Sequence, residues 1–144
     1  MSRSLVLRVL AALALIGVAV VHFDIAGDYV PLGKHPLSLG DQFYAQGVIA
    51  ILLAIALVVR PHFVVWLASA GFAAGSLAVL VYSRYKTIPV YGLPGGFTET
   101  WDARGAKLAA AFESAALLLT LIGAALTAGS FRAQVQGFRQ ARSS

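Results

Sequence analysis

Four apolar stretches, at about residues 5–23, 43–59, 63–82 and 108–128, decide which solvent this chain folds in. Each approaches the ~20 residues that an α-helix, rising ~1.5 Å per residue, needs to cross ~30 Å of hydrocarbon. Lipid offers backbone amides no partner, so each run is expected to be a helix that satisfies its own peptide groups. Only 12% of the residues are charged and 59% are hydrophobic, whereas soluble domains carry about 25% charged residues. The spans take up most of the 144 residues, so a single membrane domain, 1–144, is expected. The predicted fold class is all-α: a four-transmembrane-helix bundle, up-down-up-down, with two outward loops. Arg8 lies close enough to the start of the first span to snorkel to the surface. Cysteine is absent, which excludes disulfides, thiolate catalysis and iron–sulfur clusters.

Topology follows from where the charges fall. Arg3, Arg8, Arg60, Arg132, Arg139 and Arg142 occupy the two termini and the connection between spans two and three, with no acid among them. Lys34, Arg84, Lys86, Arg104 and Lys107 share the other side with Asp24, Asp28, Asp41, Glu99, Asp102 and Glu113. The positive-inside rule then predicts a plasma-membrane protein with cytoplasmic N- and C-termini. The net charge of +5 is accounted for by this asymmetry, and the scattered basic residues predict no nucleic-acid partner. The segment "VVRPHF", with Pro61 suited to the first turn of a helix, predicts a tight hairpin of spans two and three. The outward loops are rich in Gly, Pro and Tyr and read as surface turns. Trp66 reads as an interfacial anchor on the cytoplasmic side. Thr100 with Asp102 looks like a helix start ahead of span four.

The fourth span carries one carboxylate, Glu113. At helical intervals from it lie Ala106, Ala109, Ala110, Ala116, Thr120, Gly123, Ala124 and Thr127, while Leu108, Phe112, Leu118, Leu119, Ile122 and Leu126 occupy the opposite face. Helices in lipid associate by close backbone approach and polar contact, so the small face is expected to be buried and Glu113 to point at protein. Span three shows a similar stripe, with Gly71 and Gly75 in a G-x-x-x-G spacing that predicts close packing. His22, Gln46 and Tyr82 fall at a similar depth in their own spans, so one shallow polar layer is predicted. In it Tyr82 or His22 hydrogen-bonds Glu113, with Arg84 as the alternative partner.

An intramembrane acid is a functional candidate by default. No second intramembrane acid completes a proton relay, and no pair of interrupted helices marks a transporter midplane site. His22, His35 and His62 are too dispersed to pair across a haem or to form a tight metal site, so neither cofactor nor metal is expected. No nucleophile motif frames Ser38 or Ser83, and "GLPGG" lacks the lysine and helix of a nucleotide site, so no catalytic residue is assigned. The expected function is that of a non-catalytic accessory or structural subunit, contacting other membrane-protein subunits and lipids in a homo- or hetero-oligomer. The rival readings are a haem- or quinone-associated redox anchor and a small-molecule permease subunit.

A histidine at the outer end of span one, the segment "YSRYKTIPVYGLPGG", a Trp and then a Glu entering span four together resemble small four-helix integral membrane proteins common in actinobacteria. The resemblance covers most of the chain. It implies an accessory subunit of an envelope complex, such as a lipid importer, and assigns no catalytic residue.

Overall fold

The computed structural model describes residues 3–101 and 104–141, of which 3, 104, 130 and 132–141 are described by backbone alone. Four helices carry the fold: α1 (Arg3–Tyr29), α2 (Leu39–Val59), α3 (Phe63–Tyr85) and α4 (Arg104–Ala141). All four are long and apolar enough to cross a membrane. The helices overrun the apolar runs because hydropathy marks only what sits in hydrocarbon, whereas amide pairing continues through flanking residues such as Asp24, Asp28 and Arg84. Asp102, expected at the start of α4, lies outside the described residues, as does Arg142.

The interior is built from small side chains and the exterior from large ones. Ala11, Ala14, Ala54, Ala73, Ala116 and Ala124 are buried with Leu15 and Leu57, whereas Val20, Leu52, Val59 and Leu126 stand out of the bundle, Leu126 at 73% exposure. Small residues let helix backbones approach closely, and the large apolar ones meet acyl chains. α1 packs against both α2 and α4, and α3 packs against α4. Among helices adjacent in sequence, α2 and α3 touch each other least, although the shortest helix-to-helix connection joins them. The expected tight hairpin of spans two and three is therefore a tight turn with a sparsely packed seam. Ala50 of α2 clusters with Val18 and Ala19 of α1, while Ala54 and Leu57 share one larger cluster with Ala11 and Leu15 of α1, Trp66 and Ala73 of α3, and Ala116 and Ala124 of α4. Pro61 precedes α3 instead of opening it: His62 is the N-cap, and its amide donates to the Arg60 carbonyl at 2.7 Å.

Trp66 is not an interfacial anchor. It is 2% exposed, with its ring against Gly123, where any side chain on the glycine would collide with it. The small face of α4 lets α3 bring an indole into the bundle.

At the other end of the bundle the chain is tied down locally. Ser38 caps α2 in a reciprocal box: the Asp41 amide donates to Ser38 Oγ at 3.1 Å and the Ser38 amide donates to Asp41 Oδ2 at 3.0 Å. Between α3 and α4 the chain forms a two-stranded antiparallel hairpin, β1 (Ile88–Val90) and β2 (Leu93–Phe97), pairing Ile88 with Phe97 and Val90 with Leu93. The register shifts between those pairs, where Gly95 and Gly96 take φ of +86° and +68°. These strands are absent from the sequence reading because Pro89 and the Gly95–Gly96 pair erase the alternating pattern that marks a strand. The Lys34 amide donates to the Tyr91 carbonyl at 2.9 Å, and the Glu99 amide donates to the Ser83 carbonyl at 3.0 Å, so the hairpin is held to the α1–α2 loop and to α3.

Candidate polar site beneath the hairpin

Each of the four helices contributes one polar side chain to a common layer: His22 from α1, Gln46 from α2, Ser76 from α3 and Glu113 from α4. Glu113 is 1% exposed and His22 3%. Ser76 Oγ lies 3.1 Å from Gln46 Oε1 and also hydrogen-bonds Glu113 Oε1, bridging α2, α3 and α4. His22 Nε2 stands 3.7 Å from Glu113 Oε1, while His22 Nδ1 donates to the Val18 carbonyl at 2.8 Å. That internal bond fixes the proton on Nδ1 of the neutral ring and leaves Nε2 as an acceptor.

The layer forms the inner end of a partly open cavity of about 70 Å³. Its walls are Ile25, Val79 and Leu80, and its outer end carries Tyr29, Phe97 and Glu99. Tyr29 packs edge-to-face on Phe43 at 5.0 Å and on Phe97 at 5.7 Å between ring centroids, which connects α1, α2 and β2 across the cavity mouth. Glu99 is buried, and its Oε1 accepts the amides of Thr100 and Trp101 at 2.9 and 3.0 Å. Since a water needs ~10–15 Å³ of such space, the cavity has room for a few water molecules or one short ligand.

The structure brings together His22, Gln46 and Glu113, but not the other residues predicted for the layer. Tyr82 is 57% exposed, on a face of α3 turned away from the cavity. The six residues from Ser76 to Tyr82 rotate about 600° at ~100° per residue, which sets the two well apart around the helix. Arg84 is exposed and forms no ion pair with Glu113 among the described residues. Gly71 and Gly75 are also corrected: a Cβ at either would meet nothing within 4 Å. The contact face of α3 is instead Trp66, Ser69, Ala70 and Ala73, a different side of the same helix.

Ser76 escaped the sequence reading, although a signal was present. Ser69, Ser76 and Ser83 recur every seven residues, about two helical turns, and so mark a single polar face inside an apolar span. Glu99 escaped because it precedes α4 and comes inward only through the hairpin's attachment to α3.

Polar contacts between membrane helices contribute on average ~0.6 kcal/mol and at most ~1.7 kcal/mol. Glu113→Gln keeps a partner for Ser76 and is expected to unfold in detergent titration within about 1 kcal/mol of the parent. Glu113→Leu is expected to lose about 1–2 kcal/mol. Equal midpoints for parent, Gln and Leu chains would show that the layer does not hold the helices together.

No protein-family model, curated protein or solved structure matches this chain.

Proposed function

We propose that the chain is a non-catalytic, multi-pass plasma-membrane protein that acts as an accessory subunit of a larger membrane complex, in the service of lipid transport. The observation that carries this reading is the face of α3 bearing Ala68, Gly71, Gly75 and Ala78, which is turned out of the bundle with open space over both glycines. Much of the rest of the exterior carries large apolar side chains such as Leu52, Val59, Leu118 and Leu126. A ridge of small residues among them supports the docking of another transmembrane helix, since close backbone approach drives helix association in lipid. Leu at both Gly71 and Gly75 should release the partner in native-membrane pull-down while leaving the melting midpoint of the isolated chain unchanged. Retention of the same complex by that double variant would overturn the assignment.

The proposed orientation is up-down-up-down with both termini cytoplasmic. It rests on the acid-free basic clusters at the termini and Arg60, opposite the end that gathers Asp24, Asp28, Asp41 and Glu99. The natural lack of cysteine makes this directly measurable. A single cysteine at Thr98, in the exposed β2–α4 connection, should react in intact cells with a membrane-impermeant maleimide. One at Arg60 should react only after lysis. The opposite pattern would invert the topology.

A further inference from the structure

We propose that the cavity beneath the hairpin is a binding site for a small organic monocation, an alkylammonium whose N–H groups are received by Glu113. Glu113 Oε2 is buried with no hydrogen-bond partner among the described residues, in a side chain that lines the cavity. Desolvating a carboxylate oxygen without a partner is costly, so a buried one facing an open volume marks a place for a donor.

Counting donors at the inner end sharpens the point. Ser76 has one hydroxyl proton and two neighbouring oxygens, Gln46 Oε1 and Glu113 Oε1. His22 Nδ1 donates to the Val18 carbonyl, and Nε2, 3.7 Å from Glu113 Oε1, is also within reach of the Gln46 side chain. With Glu113 ionised, acceptors outnumber donors around it, and turning the Gln46 amide supplies a donor to Ser76. Among the described residues neither Lys nor Arg lines the cavity, so those walls supply no counter-charge. A second buried carboxylate, Glu99, adds to the negative potential at the outer end.

The class of cation follows from the rest of the lining. Among the described residues no three of His, Cys, Asp and Glu are placed to share a metal ion. Hard metal cations take about six or more oxygens, which Glu113, Ser76 and Gln46 do not supply. Ile25, Val79 and Leu80 instead offer an apolar wall for an alkyl body, and Tyr29, Phe43 and Phe97 supply the rings that favour ammonium groups. At about 70 Å³ the space suits a short chain rather than a lipid tail.

The test is calorimetric titration of the full chain in nanodiscs with butylammonium, alongside 1-butanol as the neutral analogue and sodium chloride as the inorganic cation. Saturable binding of butylammonium, at least about tenfold weaker for Glu113→Gln and lost in Leu80→Phe, which enlarges a wall residue on the side of α3 away from the docking face, is expected. Circular dichroism melts of both variants establish that they are folded. Absence of butylammonium binding to the parent, equal binding of butanol, displacement by equimolar sodium, or undiminished affinity in folded Glu113→Gln would each overturn the proposal. This inference does not depend on the α3 docking face, and neither variant alters it.

Discussion

Gly40→Ala is expected to be among the most damaging single-methyl additions in this chain, costing about 3 kcal/mol in detergent unfolding, the upper part of the range for overpacked cores. A Cβ at Gly40 would stand 2.5 Å from the Ala26 carbonyl oxygen and 2.6 Å from the Val30 amide nitrogen. Both obstacles are backbone, so no rotamer change relieves the clash. α2 must move off α1 at the cavity end, and no substitution in a neighbouring side chain should restore it. Gly71→Ala is the matched control, because nothing stands within 4 Å of that site. A midpoint for Gly40→Ala equal to that of Gly71→Ala would refute the close approach of α1 and α2.

The second large effect is at the opposite end, and there rescue is expected. Gly123→Ala pushes a methyl into the buried Trp66 ring and should cost about 2–3 kcal/mol. Trp66→Leu alone removes a large buried side chain and should cost about 2–4 kcal/mol. Combined, the two changes should cost at least about 1 kcal/mol less than their sum, because the smaller side chain vacates the volume that the methyl enters. Strict additivity of the two losses would show that the indole does not rest on Gly123. Gly17 makes a useful contrast, since the Phe112 ring that meets its Cβ is 36% exposed and has room to swing outward.

These glycines illustrate what could be read from the chain alone. Segregation of small from large residues around Glu113 was legible because α4 keeps it over several turns: Ala106, Ala109, Ala116, Thr120 and Gly123 are all buried, and Leu118 and Leu126 are exposed. The same logic misread α3, where small residues occur on two sides of the helix. Composition does not distinguish a face that meets α4 from one that meets something outside the chain. The serine spacing at 69, 76 and 83 separates them, because small polar side chains in a membrane span gather at helix–helix contacts. Tyr82 and Arg84 were at the right depth but at the wrong angle, and depth carries no information about rotation. The hairpin was illegible for a different reason: it is held by the Lys34 amide, which donates to the Tyr91 carbonyl, and by the Ser83 carbonyl, which accepts the Glu99 amide, long-range partners that no local pattern reports.

The loose seam between α2 and α3 bears on how the bundle is made. As the chain is synthesised, α1 meets α2 at once, but its other flank is covered only by α4, the last helix to arrive. The earliest helix is therefore completed by the latest, and the Arg60–His62 link serves as a tether between two preformed pairs. Cutting the chain at that link should leave halves that find each other again when produced together.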